Sequence, residues 1–194
     1  MASVQPELPG LGSAAPEGFA YCMGLLTAAH EAELVAAFRG LPFRPFEFHG
    51  FEGRREVVSF GFRYDYGASR LVAAPDIPDF LWPLRAAAAA FAGVAPESLR
   101  QALITHYPPG AGIGWHRDRA EFGDVVGVSL ASRCRFLLRR KSGGRWVRHA
   151  AMLEPRSAYV LRGAARSVWE HSIPALTAPR FSVTFRGVGG AGGG

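Results

Sequence analysis

The segment near the C-terminus alternates strictly between polar and apolar residues. Residues 180–186 read Arg-Phe-Ser-Val-Thr-Phe-Arg, so every second side chain is apolar. A period of two is typical of a β-strand with one buried face, because successive side chains point to opposite sides of the sheet. The pattern predicts a half-buried strand over residues 181–186. Arg180 and Arg186 then share its polar face, about 20 Å apart at ~3.3 Å per residue.

Other short segments also have the composition of strands. They are bounded by Gly or Pro and cover residues 57–64, 101–107, 125–130, 134–139, 146–152, 158–161 and 168–173. Two helices are expected in the first half of the chain, over residues 28–38 behind an N-cap at Thr27 and over residues 79–92 behind Pro78. Many short strands with two flanking helices indicate a mainly β fold with a jelly-roll core.

Composition agrees with an ordinary globular protein. The 194 residues are 48% hydrophobic and 20% charged, which fits one well-buried domain. No apolar run approaches the ~18 residues of a membrane span, the N-terminus lacks a secretory signal, and Cys22 and Cys134 imply no disulfide framework. We expect a disordered tail over residues 1–18, one domain over residues 19–187 and a flexible glycine-rich end over residues 188–194. The protein is expected to be cytoplasmic and monomeric.

Positive charge is concentrated in one short stretch. The chain has a net charge of +6, and seven cations lie within residues 133–148, divided by Ser142-Gly143-Gly144 as a hairpin turn would divide them. A basic hairpin fits phosphate contacts with a polyanionic partner, through Arg139, Arg140 and Lys141. The alternative is a solvated sheet edge whose charges discourage aggregation.

His116 and Asp118 are two residues apart, so an extended segment places both on one side while Arg117 faces the other. With His171 from a distant strand they would form a set of two histidines and one carboxylate, which binds ferrous iron and leaves positions open. Zinc also binds such a set, and a surface His–Asp pair or a core histidine would need no metal. The cation at Arg180 favours iron with an acidic co-substrate.

Four motifs follow one another in the second half of the chain. They are Thr-His-Tyr-Pro-Pro-Gly over residues 105–110, His116-Arg117-Asp118, His171, and the two arginines that begin and end residues 180–186. In this order they resemble the AlkB family of iron(II)/2-oxoglutarate dioxygenases. The resemblance implies a double-stranded β-helix, a jelly-roll with iron between its two sheets, and Fe²⁺ bound by the two histidines and the aspartate.

The same resemblance implies how the co-substrate is held. Arg180 would pair with the distal carboxylate of 2-oxoglutarate, because a planar guanidinium donates two parallel hydrogen bonds. Tyr107 would direct its hydroxyl to the same molecule, Arg186 would lie nearer the iron, and Thr105 stands where the best-known pattern has an asparagine. The expected reaction consumes O₂ and 2-oxoglutarate, yields succinate and oxidises a substrate C–H bond without a side-chain nucleophile. An oxidised N-methyl group is released as formaldehyde.

The substrate lid of the family corresponds to an aromatic segment at residues 60–67. A base taken out of the stack is held against aromatic side chains, and the candidates are Phe62, Arg63, Tyr64 and Tyr66. The other interpretation is a strand that buries its aromatic residues. Ala120 replaces an acidic residue that touches the methylated base in the best-known pattern, which weakens any inferred preference for adenine or cytosine.

These features favour oxidative dealkylation of N-alkylated nucleobases in DNA or RNA, single-stranded or flipped out of a duplex. The alternatives are a hydroxylase or demethylase of a protein side chain or a modified tRNA base, and a non-catalytic jelly-roll binding module.

Overall fold

Antiparallel strands form most of the protein. The computed structural model describes residues 14–48 and 51–188. The strands are β1 Phe19–Cys22, β2 Arg44–Phe48, β3 Phe51–Phe60, β4 Phe62–Asp65, β5 Arg70–Ala73, β6 Gln101–Tyr107, β7 Ile113–His116, β8 Phe122–Leu130, β9 Cys134–Ser142, β10 Arg145–Leu153, β11 Ser157–Leu161, β12 Glu170–Ile173 and β13 Arg180–Val188. The helices are α1 Ala28–Phe38, α2 Trp82–Ala92 and α3 Gly163–Ser167, with 3₁₀ turns at Asp79–Leu81 and Pro96–Ser98.

Two sheets form the core of the fold. The larger has the strand order β1-β11-β8-β13-β6-β3-β2, and the smaller has the order β10-β9-β12-β7. A separate hairpin pairs β4 with β5. The strand pairs are antiparallel, and apart from the β2–β3 and β9–β10 hairpins the neighbours in the two sheets are not consecutive in sequence, as in a jelly-roll. The predicted double-stranded β-helix is confirmed.

The two faces of the large sheet have different surroundings. Its outer face packs on α1 and α2, where Phe38 and Leu84 bury against Val183 and Phe185 of β13. Its inner face turns toward the small sheet and carries polar residues of β13. The alternation of residues 180–186 therefore separates a hydrophobic layer from the space between the sheets.

The first helix agrees with its predicted bounds. Thr27 is its N-cap, and the Thr27 hydroxyl accepts a hydrogen bond from the backbone N–H of His30 at 3.2 Å. The second predicted helix is divided, because residues 79–81 form a 3₁₀ turn and the α-helix begins at Trp82. Gly93 ends it in a left-handed conformation with φ of 67°.

The predicted strand over residues 57–64 is wrong, because the chain breaks at Gly61. The φ of Gly61 is +73°, and a Cβ there would lie 2.1 Å from the carbonyl oxygen of Arg100. Only glycine fits this close approach, so β3 ends at Phe60 and β4 begins at Phe62. Strands β1, β2, β5 and β7 and helix α3 were not predicted.

The described chain extends slightly beyond both ends of the predicted domain. Pro16, Glu17 and Gly18 each accept a backbone hydrogen bond from a later residue, so ordered chain begins before residue 19. Strand β13 includes Val188, and residues 1–13 and 189–194 of the predicted tail and end lie outside the described residues. Within the described ranges, no helix has the length and apolar character to cross a membrane.

Candidate active site

A cavity of about 970 Å³ lies between the two sheets. The polar face of β13 lines it, together with the inward side chains of β6 and β3 and the segment that follows β7. The predicted metal and co-substrate residues all line this cavity: His116, Asp118, His171, Tyr107, Thr105, Arg180 and Arg186. The topology therefore brings the separate sequence motifs together.

The two histidines face each other across neighbouring strands. His116 ends β7 and is the register partner of His171 on β12, and their ring centroids are 4.2 Å apart. Asp118 lies two residues beyond His116, and its Oδ2 is 3.8 Å from Nε2 of His171. The side chains of Asp118 and His171 are each 9% exposed. Two imidazoles and one carboxylate thus converge at the inner wall of the small sheet.

The surroundings set the protonation of these groups. Burial lowers the pKa of His116 and lowers the pKa of His171 to about 3, so both rings are neutral near pH 7. Burial alone would raise the pKa of Asp118, but Arg186 and the two histidines outweigh it and hold that pKa well below its usual range. Nδ1 of His116 donates to the carbonyl of Gly114 at 2.9 Å, which leaves Nε2 as the free lone pair.

This donor set fits a divalent cation by its chemistry. Neutral imidazoles and an ionised carboxylate are the forms that bind metals. Within the described part of the chain, no group of three or more His, Cys, Asp or Glu side chains meets the geometry of a finished metal site. One reason is that Oδ1 of Asp118 accepts a hydrogen bond from Nη2 of Arg186 at 2.7 Å. The donor set therefore fits a metal ion because its three side chains converge and have the protonation states that bind metals.

Arg180 is a buried cation with an unused donor. It is 1% exposed, its Nε donates to the hydroxyl of Ser129 at 3.1 Å, and its guanidinium lies 5.1 Å from the ring centroid of Tyr107. Among the described residues its Nη1 has no hydrogen-bond partner. A buried donor without an acceptor costs about 1–3 kcal/mol, and a carboxylate beside it would remove that cost. This arrangement fits the distal carboxylate of a diacid.

Arg186 lies at the other end of the same strand face and serves the metal residues. Its Nη1 donates to Oε1 of Gln101 at 2.9 Å, and its Nη2 donates to Asp118. Arg186 thereby fixes the orientation of Asp118 and keeps it ionised. Thr105 lies between the two arginines, opposite Ser182 in the register of β6 and β13.

Comparison with known proteins identifies the family. The sequence model of the 2OG-Fe(II) oxygenase superfamily matches residues 23–186. The chain belongs to the 2OG-Fe(II) oxygenase superfamily. It is therefore an enzyme of a family that uses Fe(II) and 2-oxoglutarate.

Individual relatives agree with the AlkB resemblance. The chain is 28% identical over 173 residues to the Arabidopsis thaliana "Alkylated DNA repair protein ALKBH8 homolog", covering 77% of this chain and 48% of the relative. It thus spans about half the length of that curated relative. The structure of OsALKBH1 superposes with a TM-score of 0.70 at 17% identity, covering 91% of this chain and 99% of the other.

A protein hydroxylase shares the fold as well. A Pseudomonas putida prolyl-4-hydroxylase superposes with a TM-score of 0.62 at 15% identity, over 89% of this chain and 93% of the other. At such identities the structural matches show the fold alone. They confirm the double-stranded β-helix.

The β4–β5 hairpin forms one side of the cavity mouth in this oxygenase. The rings of Tyr64 and Tyr66 meet edge to face with centroids 4.9 Å apart. Arg119, from the loop after Asp118, lies 4.1 Å from the ring centroid of Tyr64 and donates to its hydroxyl. Arg63 also lines the mouth.

Phe62 does not join the cavity, contrary to the sequence prediction. The residues that line the cavity within the described chain include 63–67 but not Phe62, whose ring instead lies 5.1 Å from the guanidinium of Arg100. The break at Gly61 sets which face each side chain takes.

Arg55 is a cavity residue that sequence reasoning missed. It lies on β3 with Val57 and Ser59 on the same face, and its guanidinium lies 3.8 Å from the ring centroid of Phe46. Burial lowers its pKa, while nearby Tyr107 favours its charged form. The alternation of residues 55, 57 and 59 is a weak signal, because only one of the three is apolar.

The predicted basic hairpin forms, but its three predicted substrate contacts lie outside the cavity lining. Strands β9 and β10 pair around Gly143 and Gly144, whose φ values are 53° and 77°. Phe136 of β9 lines the cavity of the described structure, whereas Arg139, Arg140 and Lys141 do not. These cations are therefore not part of the cavity wall.

The first two of these hairpin cations are already engaged. Arg139 lies between the rings of Trp115 and Trp146, at 4.2 Å from each centroid, and its Nε donates to Glu170 at 2.7 Å. Arg140 lies 5.3 Å from the ring of Trp169. Lys141 is exposed beside Trp146.

Proposed function

We propose that this oxygenase removes alkyl groups from N-alkylated bases of DNA or RNA by oxidation that depends on Fe²⁺, 2-oxoglutarate and O₂. The observation that carries the co-substrate part is the unused donor of buried Arg180, at one end of a cavity where His116, Asp118 and His171 converge. The substrate part rests on the aromatic and cationic mouth of the same cavity.

In this proposal the metal ligands are His116, Asp118 and His171. Bound iron supplies the activation of O₂ and the oxidation of a C–H bond. Burial keeps the two histidines neutral, and Arg186 keeps Asp118 ionised. These are the states that bind a metal ion.

Three residues of the large sheet would hold 2-oxoglutarate. Arg180 would donate to its distal carboxylate, and Tyr107 lies beside that arginine in direct register. Thr105 is 4% exposed on the same face and can donate through its hydroxyl, with a shorter reach than an asparagine. The large sheet would thus serve the co-substrate and the small sheet the metal.

The cavity mouth has the groups that a nucleotide requires. Tyr64 and Tyr66 offer rings against which an unstacked base can lie. Arg55, Arg63 and Arg119 supply cations near those rings, which suit the phosphates on either side of the base. The name of the Arabidopsis relative refers to alkylated DNA repair, which agrees with this substrate class.

The β9–β10 hairpin would contact the DNA or RNA strand farther from the cavity. Lys141, Arg145 and Arg148 are exposed along it, and Arg139 is held between two tryptophan rings. Interleaved cations and aromatic rings are typical of surfaces that bind single-stranded nucleic acid.

Formaldehyde release from a matched panel would test the proposal. The panel contains methylated single-stranded DNA, the same sequence as RNA, the corresponding duplexes and a methylated basic peptide, each with Fe²⁺ and 2-oxoglutarate. We expect release from at least one single-stranded nucleic acid, equal to the succinate formed above the substrate-free rate. Release from the peptide alone would contradict the nucleic-acid assignment and favour protein demethylation. Asp118→Ala serves as the control for adventitious iron chemistry.

A further inference from the structure

Arg166 lies outside the cavity but holds the loop that contains Asp118. Its Nη1 donates to the carbonyl of Asp118 at 3.0 Å, and its Nη2 donates to those of Arg119 at 2.5 Å and Phe122 at 2.9 Å. Its Nε donates to the carbonyl of Gly123 at 3.1 Å. One guanidinium therefore binds two backbone carbonyls of the loop before β8 and two at the start of β8.

The backbone of this loop has few hydrogen bonds of its own. Residues 117–121 follow β7 and precede β8, and they form neither helix nor strand. Within the described chain, one backbone hydrogen bond outside regular structure belongs to this segment. In it, the N–H of Phe122 donates to the carbonyl of Arg119 at 3.1 Å. Loop carbonyls without a ladder partner need other donors, and a planar guanidinium offers several in a rigid fork.

Arg166 is itself firmly placed. It lies on α3, where the backbone N–H of Ala165 donates to Glu17 at 2.8 Å and Ala165 is buried. Trp169, which follows the helix and is 5% exposed, packs in the core between the sheets. Strand β12 begins at the next residue and carries His171. Helix α3, which precedes the proposed ligand His171, thus carries the arginine that binds the loop of the proposed ligand Asp118.

We infer that Arg166 is a positioning residue that sets the distance between Asp118 and His171, and through it the affinity for the metal. The inference rests on the proposed ligand set. The hydrogen bonds that the structure gives the side chain of Arg166 go to backbone carbonyls of residues 118–123, and its charge also favours the ionised carboxylate of Asp118.

The test compares Arg166→Met with Arg162→Met. Arg162 precedes the same helix, but its side chain bonds the carbonyl of Ala92 and Asp124, not the loop of residues 118–122. Binding of Mn²⁺, a redox-stable probe, would be measured by titration calorimetry on the full chain, alongside kcat, the KM for 2-oxoglutarate and thermal unfolding. Loss of a residue that orients metal ligands typically weakens metal binding about 10- to 100-fold.

We expect Arg166→Met to weaken Mn²⁺ binding at least about tenfold and to lower kcat. The KM for 2-oxoglutarate measured at saturating metal should stay within about twofold, because Arg180, Tyr107 and Thr105 lie on β6 and β13. Arg162→Met should bind Mn²⁺ as the wild type does. Equal affinities of the two variants, or a parallel rise in the KM for 2-oxoglutarate, would overturn the inference.

Arg166→Lys tests whether the several hydrogen bonds of the guanidinium are needed or only its positive charge. It also provides a test if Arg166→Met does not fold. Lysine keeps the positive charge but cannot span four carbonyls. We expect it to show a clear loss of Mn²⁺ affinity, and wild-type affinity would overturn the inference. Asp118→Ala, measured in the same way, separates the two claims. If that variant binds Mn²⁺ normally, the ligand set is wrong; if only the Arg166 variants bind normally, the positioning role is wrong.

Discussion

The inner wall of the cavity and its mouth are built in opposite ways. At the inner wall, Asp118, His171 and Arg180 are buried, and Arg186 and Ser129 hold two of them by hydrogen bonds. At the mouth, Tyr64 and Tyr66 lie on a two-stranded hairpin that is separate from both sheets. The wall fits chemistry that needs fixed geometry, whereas the mouth fits a substrate that varies in shape. Changes at the wall should therefore act on metal and co-substrate, and changes at the mouth on substrate.

Among changes that leave the proposed metal ligands intact, the largest effect is expected at Arg180. Removing one partner of a buried charge-assisted pair costs about 2–5 kcal/mol, which is at least ~30-fold in affinity. Arg180→Ala should raise the KM for 2-oxoglutarate by that factor while Mn²⁺ affinity changes little. Arg156→Ala, which breaks a 2.9 Å ion pair with Glu31 away from the cavity, is the control. An unchanged KM would show that the co-substrate binds elsewhere.

A smaller effect is expected at Tyr64, and it should fall on the substrate. Loss of a ring that stacks on a base costs about 1–3 kcal/mol, so Tyr64→Ala should lower kcat/KM for a methylated oligonucleotide about tenfold. Tyr64→Phe keeps the ring and loses only the hydroxyl that accepts from Arg119. It should stay close to the wild type, and substrate-free succinate formation should be the same in all three proteins. A fall in that basal rate would contradict the separation of mouth and wall.

The smallest effect is expected at the β9–β10 hairpin. Replacing Arg139, Arg140 and Lys141 together by Gln should weaken binding of all nucleic-acid sequences alike and flatten the salt dependence of binding. Arg139 and Arg140 pack against tryptophan rings, so we expect only Lys141 to contact a phosphate. The slope of log K against log salt should then change by the amount for about one phosphate contact rather than three. Lys141→Gln alone should then give most of the effect. An unchanged slope would make the hairpin a solvated sheet edge.

Local features of the fold were predictable from the sequence. The alternation over residues 181–186 separated the two faces of β13, and the spacing of His116 and Asp118 indicated a shared side. The same period places Glu170, the neighbour of His171 on β12, on the other face, where it accepts a hydrogen bond from Arg139. Each of these inferences depends only on the period of a strand.

The remaining features depend on contacts between distant parts of the chain. Gly61 breaks a strand because the Arg100 carbonyl lies where a Cβ would be, and nothing near residue 61 reveals that neighbour. Arg55, Arg119 and Arg166 look like ordinary surface cations in the sequence, since their partners come from other elements. Phe62 was expected at the cavity because the aromatic segment at residues 60–67 corresponds to the substrate lid of the family, and the break at Gly61 could not be seen in the sequence.

The central claim is that Asp118 and its two histidine neighbours bind one metal ion at the inner wall of the cavity, where 2-oxoglutarate is converted. The most direct measurement follows Fe²⁺-dependent conversion of 2-oxoglutarate to succinate, together with bound metal per chain, in the wild type, Asp118→Ala and Asp124→Ala. Asp124 pairs with Arg162 at 3.5 Å outside the metal residues. We predict about one metal per chain and turnover in the wild type and Asp124→Ala, and a loss of at least ~100-fold in turnover with little bound metal in Asp118→Ala. Near-normal turnover of Asp118→Ala with metal still bound stoichiometrically would contradict the account.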